Sequence, residues 1–435
     1  MTDVLIAGGG IAGSALAIML GRLGLSVELY ERGSFPKEKP CGEGLMPGGI
    51  AVLQRMRLAQ QVGGYAFFGL RYHVKGRMVQ GRFPKLDGSP AFGRGQRRKI
   101  LDERLFGAAA ETSGVFARAG TQVTSLLWEN GRVAGALVDG EARRAGLVVG
   151  ADGVHSRLRQ LAGLDLQAGR KRFGVRAHFR LAPGQEELPW VEIFLGQGHE
   201  LYVTPLPRRE ILVAGLANAQ SLKNFQEAGT ATAIEQAFQG WWQAQPALAK
   251  RLEGAQQVSP LLTVSPLEGH ARAGVAPGMV LLGDAAGFAD PITGGGMTQA
   301  LITSELLAQT IALGLAENRN WLAEDSWLAR FDRERRAMLR GYRVVTRIVL
   351  WLAQQPRFAA GAISALASWP RLFSHLIGVT SGTRRLSGGA VRVPLRIAAI
   401  AAGSRVAPRK NGAATWIPEI GGHGSPLGGR EHAGG

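Results

Sequence analysis

Three glycines near the N-terminus, Gly8, Gly10 and Gly13, stand at the G-x-G-x-x-G spacing between an apolar run and an alanine- and leucine-rich segment. In a strand–turn–helix unit the first glycine permits a tight turn, the second lets the backbone approach a pyrophosphate, and the third lets helix and strand pack closely. A second apolar run ends at Glu31, where this pattern expects a carboxylate for a ribose hydroxyl. The segment predicts a dinucleotide-binding unit and leaves NAD, NADP and FAD open.

The length and composition describe a globular chain of several domains. Its 435 residues are 46% hydrophobic and 19% charged, enough to bury a substantial core in two or three domains. A single cysteine, Cys41, excludes an intramolecular disulfide framework and suits a reducing compartment. The first residues show no secretion signal, and no uninterrupted apolar run reaches the roughly 18–20 residues of a membrane span. We therefore expect a cytoplasmic protein without a spanning helix.

The net charge of +18 is concentrated near the C-terminus. Residues 335–410 contain 14 arginines or lysines and no acidic residue, which leaves about +4 for the other 359 residues. Such a region attracts nucleic acid, anionic lipid or an acidic partner, and its sign alone does not separate them. No nucleic-acid recognition motif accompanies the charge, so nucleic acid is not the expected partner.

Two further segments combine glycine with aspartate after an apolar run. Asn-Gly at 130–131 and Asp-Gly at 139–140 predict the tight hairpins of a three-stranded meander, which leads into the motif Gly150-Ala-Asp152-Gly-x-x-Ser156-x-x-Arg159. The other segment is Gly283-Asp284-Ala-Ala-Gly287, followed by Pro291 and Gly294-Gly295-Gly296. It reads as a strand, a glycine-rich loop and a long helix, which is a second cradle for phosphate and ring groups.

These three motifs, in this order, resemble those of FAD-dependent oxidoreductases of the aromatic-hydroxylase type (class A flavoprotein monooxygenases), with their branch of geranylgeranyl reductases and flavin-dependent halogenases. The resemblance covers roughly residues 2–330. It implies an α/β fold: a Rossmann-like FAD-binding domain, with a parallel sheet and the three-stranded meander, an inserted antiparallel-sheet substrate domain, and a helical C-terminal region. The expected cofactor is FAD, with NADPH or NADH as a visiting co-substrate.

The succession of strand-like and helical segments divides the chain into four parts. The expected boundaries are 1–64, 95–165 and 270–335 for the FAD-binding domain, 65–94 and 166–269 for the substrate domain, 336–410 for the basic helical region and 411–435 for a flexible tail. Within the substrate domain, residues 65–83 read as two strands and residues 231–252 as a helical stretch.

The resemblance assigns cofactor contacts residue by residue. The residues expected to bind FAD are Gly8, Gly10, Gly13, Glu31, Arg32, Arg98, Asp152, Gly283, Asp284 and Gly296. The residues expected beside the flavin ring are Cys41, Gly42, Pro291, Gly294 and Gly295. Asp284 matches a carboxylate that accepts a hydrogen bond from a ribityl hydroxyl, and Arg98 matches an arginine near the phosphates.

Three of these residues have an alternative interpretation. Asp152 is also the kind of aspartate that stabilises a turn, and Arg98 is also the kind of arginine found on a helix surface. Cys41 is also consistent with a small buried thiol in a turn, and nothing in the sequence marks it as a nucleophile.

No catalytic side chain is assigned, because in such enzymes the flavin carries the chemistry. The eight histidines show no metal-binding spacing, so no metal is expected. The favoured reaction is NAD(P)H- and O2-dependent hydroxylation of a lipophilic small molecule of aromatic or polyketide type. The alternative is reduction of C=C bonds in an isoprenoid or similar lipid. Halogenation, for which the Trp-x-Trp-x-Ile-Pro segment is missing, and a non-catalytic flavin- or lipid-binding protein are lesser alternatives.

The basic region also suggests where the substrate comes from. In residues 341–354, Arg343 and Arg347 lie one helical turn apart, Arg340 adjoins them, and apolar residues fall mainly on the other side. This is the composition of a helix lying on an anionic membrane surface, so residues 340–410 predict peripheral membrane association. Alternatively, these helices cap the substrate domain and their arginines are solvated.

Overall fold

The computed structural model describes residues 2–170, 172–218, 221, 231–317 and 324–386. The predicted tail at 411–435 and the end of the basic region at 387–410 lie outside the described residues.

The helices and strands alternate through most of the described chain. The helices are α1 (Ile11–Arg22), α2 (Pro47–Arg55), α3 (Ala59–Val62), α4 (Arg98–Ala110), α5 (Arg157–Leu161), α6 (Ala231–Gln243), α7 (Pro246–Arg251), α8 (Gly296–Glu317), α9 (Leu328–Ala353), α10 (Pro356–Ser368) and α11 (Pro370–Thr380). The strands are β1 (Thr2–Ala7), β2 (Val27–Glu31), β3 (Gly44–Leu45), β4 (Tyr65–Phe67), β5 (Gly69–Val74), β6 (Arg77–Arg82), β7 (Gly93–Gly95), β8 (Val115–Ala119), β9 (Val123–Glu129), β10 (Arg132–Val138), β11 (Glu141–Gly150), β12 (Leu166–Ala168), β13 (Arg172–Arg180), β14 (Val191–Leu195), β15 (His199–Leu206), β16 (Glu210–Asn218), β17 (Gln256–Gln257), β18 (Leu262–Val264), β19 (Gly269–Ala271), β20 (Val275–Ala276), β21 (Met279–Leu281) and β22 (Gly287–Phe288). Two 3-10 turns, Gly283–Ala286 and Pro291–Thr293, follow β21 and β22.

A parallel sheet forms the first layer, with strand order β21-β11-β1-β2-β8 and β20 added in antiparallel fashion to β21. Val4 pairs with Leu147 on one side and with Val27 on the other. These strands are almost continuously apolar because both faces of the sheet are covered, one by the helices α1, α4 and α8 and the other mainly by the meander strands β9 and β10. Helix α1 packs against α4 and α8, and most of its residues are buried. The predicted Rossmann-like layer is confirmed.

The meander is formed by β9, β10 and the outer part of β11, as predicted. Its two turns place Asn130 and Asp139 at φ angles of 49° and 47°, and the glycine after each also has a positive φ. Asn-Gly and Asp-Gly adopt these angles at low cost, which is why they mark type I′ hairpins.

The second large sheet has the order β17-β13-β16-β15-β14-β5-β6. Its central strands are antiparallel, as predicted, but β14 pairs with β5 in parallel. Residues 65–83 form three strands rather than the predicted two, since the chain changes partners at Phe68. The predicted helical stretch 231–252 is divided at Pro246, which begins α7.

Helix α9 runs without interruption through the expected boundary near residue 336. It buries Tyr342, Val345 and Leu350, and Leu350 packs in one core with residues of the second sheet and of the helices α10 and α11. Much of the apolar side that the sequence suggested for a membrane therefore faces protein.

Helix α8 is long and apolar enough to cross a membrane by length and composition alone. In the structure its residues Leu301, Leu307 and Ile311 are buried in the same core as α1. This is the environment of a core helix in a globular domain.

Candidate cofactor and substrate site

The turn between β1 and α1 shows why its glycines are needed. Gly8 has a φ of +110°, and a Cβ there would lie 2.3 Å from the carbonyl oxygen of Ala151. A Cβ on Gly13 would lie 2.0 Å from the carbonyl oxygen of Gly8. Gly10 differs, since the nearest atom to its Cβ position is Nζ of Lys39 at 3.2 Å. Two glycines thus permit close packing, and the third leaves a space in front of the helix N-terminus.

Glu31, at the end of β2, is fixed beside this turn. Its Oε2 accepts a hydrogen bond from the N–H of Gly9 at 3.0 Å, and its Oε1 accepts one from Gly33 and pairs with Lys37. Burial would raise the pKa of Glu31, but the Lys37 and Gly33 donors hold it below its usual range. Its carboxylate is therefore ionised and oriented, while Arg32 next to it is exposed.

Two cations share one buried carboxylate near Gly10. Arg98 donates two hydrogen bonds to Asp102 at 2.8 and 2.9 Å, and Lys39 pairs with the same group at 2.9 Å. Asp102 is fully buried, which by itself would raise its pKa. The charges of Arg98 and Lys39 outweigh this effect and lower the pKa. The group carries a net positive charge beside the helix N-terminus, a suitable environment for phosphate. Sequence reasoning identified Arg98 but missed Lys39, whose only signal was its place beside Pro40 and Cys41.

Asp284 follows β21 on the 3-10 turn Gly283–Ala286 and lines the main cavity. Its carboxylate accepts no hydrogen bond from the residues that the structure describes, and it is accessible from the cavity. The surrounding protein partly removes Asp284 from water and so raises its pKa, although the charges of Arg98 and Lys39 oppose this. A carboxylate in this position is a free acceptor for a ligand hydroxyl.

Asp152 has its hydrogen bonds within its own turn. It accepts from Oγ of Ser156 at 2.5 Å and from the N–H of Leu158 at 3.1 Å, so it stabilises the start of α5. Arg159 from the same motif is buried and donates to the carbonyl oxygen of Ala285 at 3.1 Å. The motif thus supports the turn that carries Asp284, and the structure favours the turn interpretation of Asp152.

Residues 41–44 form a loop at the cavity wall, with Cys41 and Gly42 facing the cavity. Glu43 is fully buried with a φ of 57°, and its Oε1 accepts from the N–H of Arg98 at 2.9 Å. Its Oε2 lies 2.7 Å from Nε2 of His178 on β13. Sequence reasoning missed Glu43, although it stands directly after the Cys41-Gly42 pair.

The neighbours of His178 define its tautomer. Arg176, which can only donate, lies 3.0 Å from Nδ1 of His178, so that nitrogen accepts and Nε2 donates to Glu43. Glu38, Glu43 and His178 have ligand atoms within 4.8 Å of one another, as a metal site requires. Arg176 already donates to Glu38 at 2.6 Å, so a guanidinium provides the positive charge there.

The loop 290–296 carries the remaining predicted residues. Gly294 has a φ of +67°, and a Cβ on Gly295 would lie 2.4 Å from the ring of Tyr342. Gly296, at the start of α8, has no atom within 4 Å of its Cβ position. The second sheet also holds the loop, because Tyr202 on β15 donates a hydrogen bond to the carbonyl oxygen of Ile292 at 2.6 Å.

A buried ion cluster connects this loop to the second sheet. Arg172 pairs with Asp290 at 2.9 Å and also contacts Glu200, and all three side chains are almost inaccessible. Burial raises the pKa of Glu200 to about 7, and the charge of Arg172 only partly opposes this. Sequence reasoning identified none of these three residues.

The cavity itself lies between the two sheets and measures about 1680 Å³ including its open mouth. Its floor includes Pro291, Gly294 and Gly296, and Arg98 and Asp284 also line the cavity. Its roof is formed by the second sheet and the segment after it and is largely aliphatic, with the side chains of Leu70, Val175, Val191, Ile193, Leu216, Leu262, Val264 and Leu267. Tyr72, Arg176, Tyr202 and Thr204 of the same sheet also line the cavity.

The chain matches the FAD binding domain family over residues 1–345 and belongs to that family. It is 29% identical to a menaquinone reductase of Mycolicibacterium smegmatis over 72% of this chain and 76% of the relative. It is also 29% identical to a digeranylgeranylglycerophospholipid reductase of Methanothrix thermoacetophila, over 72% and 79%. A squalene epoxidase of Arabidopsis thaliana is 30% identical over 69% of this chain, but the match spans only 52% of that protein.

The fold agrees with this assignment. A flavoprotein/dehydrogenase from Cytophaga hutchinsonii superposes with a TM-score of 0.78 at 18% identity, covering 93% of this chain and 99% of that one. The chain is therefore an FAD-dependent oxidoreductase of the monooxygenase and reductase superfamily, and the predicted family and fold class are confirmed.

The residues fit FAD at both ends of the site. Gly8 and Gly13 leave no room for side chains, whereas the Cβ positions of Gly10 and Gly296, at two helix N-termini, meet no backbone atom. Gly296 has no atom within 4 Å, and Gly10 has Nζ of Lys39 at 3.2 Å. Arg98 and Lys39 provide positive charge, and Asp284 provides a free acceptor. The individual contacts to FAD remain predictions, including those of Glu31, Asp152, Cys41 and Pro291.

Proposed function

We propose that this oxidoreductase is an NAD(P)H- and O2-dependent monooxygenase of a lipophilic small molecule. The observation that carries the proposal is the largely aliphatic roof of the main cavity, whose lining also includes the loop 290–296. An apolar enclosure binds a lipophilic substrate and keeps water from the reacting atoms.

The proposed reaction is balanced by one reductant and one molecule of oxygen. Substrate C–H, O2, NAD(P)H and a proton give substrate C–OH, NAD(P)+ and water. Bound FAD would supply the redox chemistry, and the chain supplies orientation and exclusion of water. Arg98 and Lys39 would hold the phosphates, Asp284 would hold the ribityl chain, and loop 290–296 would support the ring.

A reductase is the second candidate, and a specific observation favours it. Cys41 and Gly42 face the cavity in a loop that resembles the one near the flavin in geranylgeranyl reductases. The menaquinone and digeranylgeranylglycerophospholipid reductases are also relatives that match over most of their length. In that case substrate C=C, NAD(P)H and a proton would give the saturated product and NAD(P)+, bound FAD would supply the redox chemistry, and oxygen would not be consumed.

Oxygen uptake separates the two candidates. The purified protein, checked for bound FAD, is supplied with NADPH or NADH and a panel of alkylphenols and polyprenyl compounds, in air and under anaerobic conditions. A monooxygenase consumes one O2 for each reductant oxidised and requires air for product. Anaerobic formation of a saturated product would instead establish the reductase, and a protein purified without FAD that binds none would overturn both.

We also propose that the protein is cytoplasmic and associates peripherally with anionic membranes. Arg340, Arg347 and Trp351 share the exposed face of α9, with Trp351 43% exposed. Such a face attracts an anionic surface and offers an aromatic ring to its interface. The test is co-sedimentation with phosphatidylglycerol vesicles at low salt. Changing Arg340 and Arg347 to Glu should abolish sedimentation with the vesicles. Arg118 is exposed on β8, away from this face, and Arg118→Glu should have no effect. Equal sedimentation of all variants would refute the proposed surface.

A further inference from the structure

A second cavity lies beside the first, between α9, α10 and α11 and the strands β5 and β6. It measures about 990 Å³ including its mouth. Of its 18 lining residues only Tyr72, Thr293 and Thr380 are polar, and none is charged. The remaining lining residues are aliphatic, apart from Phe373, and most of them come from the helices of the basic C-terminal region. The redox chemistry described above uses none of these helical residues.

The two cavities share a boundary at Tyr72 and Thr293, which line both. The hydroxyl of Thr293 lies 2.8 Å from that of Thr346 and is therefore satisfied. The ring of Tyr72 makes an edge contact with Phe373 at a centroid distance of 5.9 Å. Its hydroxyl has no hydrogen bond to any described residue, and burial raises its pKa to about 12, so it is neutral. The two side chains shared by the cavities are thus a neutral phenol and a hydrogen-bonded hydroxyl, and neither carries a charge.

The wall chemistry defines the occupant. A cavity lined by valine, isoleucine and leucine offers water almost no hydrogen-bond partners, so it favours apolar groups. Since the two cavities adjoin at Tyr72 and Thr293, a molecule with a long apolar chain attached to its reacting part has the shape to extend from one into the other.

We propose that the second cavity binds the long apolar chain of the substrate, while the part that reacts lies over loop 290–296 in the main cavity. This proposal rests on the proposed function, and it makes the substrate an amphiphile with a polar, reacting end and a hydrocarbon tail. The C-terminal helices then serve as the tail-binding wall. Binding strengthens by about fourfold for each methylene that leaves water for such an environment.

The test measures binding as a function of chain length in the holoprotein. Phenols carrying methyl, pentyl, nonyl or tridecyl chains at the para position, and prenyl chains of matched carbon number, are titrated against the absorbance spectrum of the bound FAD. We expect the dissociation constant to fall steeply with chain length and then level off when the cavity is full. A dissociation constant that is independent of chain length would overturn the proposal without any variant.

A matched pair of variants on α10 locates the tail. Ala362 is 2% exposed and lines the second cavity, whereas Ala367 on the same helix is exposed and does not line it. Ala362→Phe should leave methylphenol binding unchanged and remove at least tenfold of the affinity gained from the nonyl chain. Ala367→Phe should behave like the wild type. Leu366→Trp, at a half-buried position of the same wall, provides a second blocking variant if Ala362→Phe does not fold.

The outcomes separate this proposal from the proposed function. If a folded blocking variant keeps the wild-type dependence of the dissociation constant on chain length, the tail lies elsewhere. If Ala362→Phe removes the chain-length dependence of binding but no phenol is turned over, the result would support the tail cavity and count against the monooxygenase. Turnover that does not respond to chain length would support the monooxygenase and overturn the tail cavity. A stronger response to prenyl than to alkyl chains would identify the tail as isoprenoid, and the reverse would identify it as acyl.

Discussion

Nη1 of Arg172 lies 2.9 Å from the carboxylate of Asp290, and the two side chains are only 3% and 2% exposed. Arg172 belongs to β13 of the second sheet, whereas Asp290 accepts from the N–H of Ile292 at the turn that begins with Pro291. This pair therefore fixes the loop on the cavity floor to the sheet that forms the roof.

Removing the guanidinium should strongly destabilise the fold. Arg172→Met leaves the carboxyl groups of Glu200 and Asp290 buried without their cation, which typically costs about 3–5 kcal/mol. Arg180→Met is the control, because Arg180 lies at the exposed end of the same strand, where an ion pair is worth less than about 1 kcal/mol. Urea unfolding at neutral pH measures both changes, and similar losses would show that the buried cluster contributes little.

Glu200 should make stability depend on pH in an unusual direction for a carboxyl group. Burial raises its pKa from 4.5 to about 7 in the folded protein, so the folded state binds more protons than the unfolded state between these values. The contribution is present below about pH 4.5 and is lost as the pH rises through about 7. Unfolding free energies across this window should fall more steeply in the wild type than in Glu200→Gln. An equal pH dependence of the unfolding free energy in the wild type and Glu200→Gln would contradict the raised pKa of Glu200.

Two alanine substitutions in one turn should fail in different ways. A Cβ on Gly13 meets the carbonyl oxygen of Gly8 at 2.0 Å, so Gly13→Ala should lower the unfolding free energy by at least about 1–3 kcal/mol. Gly10 has φ −77° and ψ −169°, angles that alanine accepts, and the atom nearest to its Cβ position is Nζ at the end of the flexible Lys39 side chain, 3.2 Å away. Gly10→Ala should therefore fold normally and lose at least about tenfold in FAD affinity. Thermal unfolding of the apoprotein and FAD titration distinguish them. If Gly10→Ala binds FAD with wild-type affinity, the cofactor does not occupy the space beside Gly10.

Asp284→Ala should weaken FAD binding without weakening the apoprotein. The carboxylate accepts no hydrogen bond from the described residues, so its loss breaks no bond among them. A hydrogen bond from a ligand hydroxyl to a charged acceptor is worth about 1.5–3 kcal/mol, or roughly tenfold to a hundredfold in affinity. Fluorescence titration of the apoprotein with FAD checks this, with Asp284→Asn as the variant that retains an acceptor. Unchanged affinity in Asp284→Ala would place the ribityl chain elsewhere.

The charge network beside Gly10 shows how far local patterns reach. The motif Arg98-x-x-Leu101-Asp102 contains both partners of a helical ion pair, so the sequence could suggest it. Lys39 joins the same carboxylate from a loop 63 residues earlier, and no periodicity marks such a contact. The same applies to Glu43 and His178, which are 135 residues apart.

The sequence by itself determined the FAD-binding unit, the meander and the α/β class, because each depends on short-range spacing: glycines at a turn, Asn-Gly and Asp-Gly in hairpins, and continuous apolar runs in parallel strands. Only the tertiary structure decided that Arg172 connects roof and floor, and that α9 to α11 enclose a second cavity. These features depend on side chains brought together from distant segments. Their contacts arise only when the two sheets pack, and the residue types alone are equally compatible with a solvated surface.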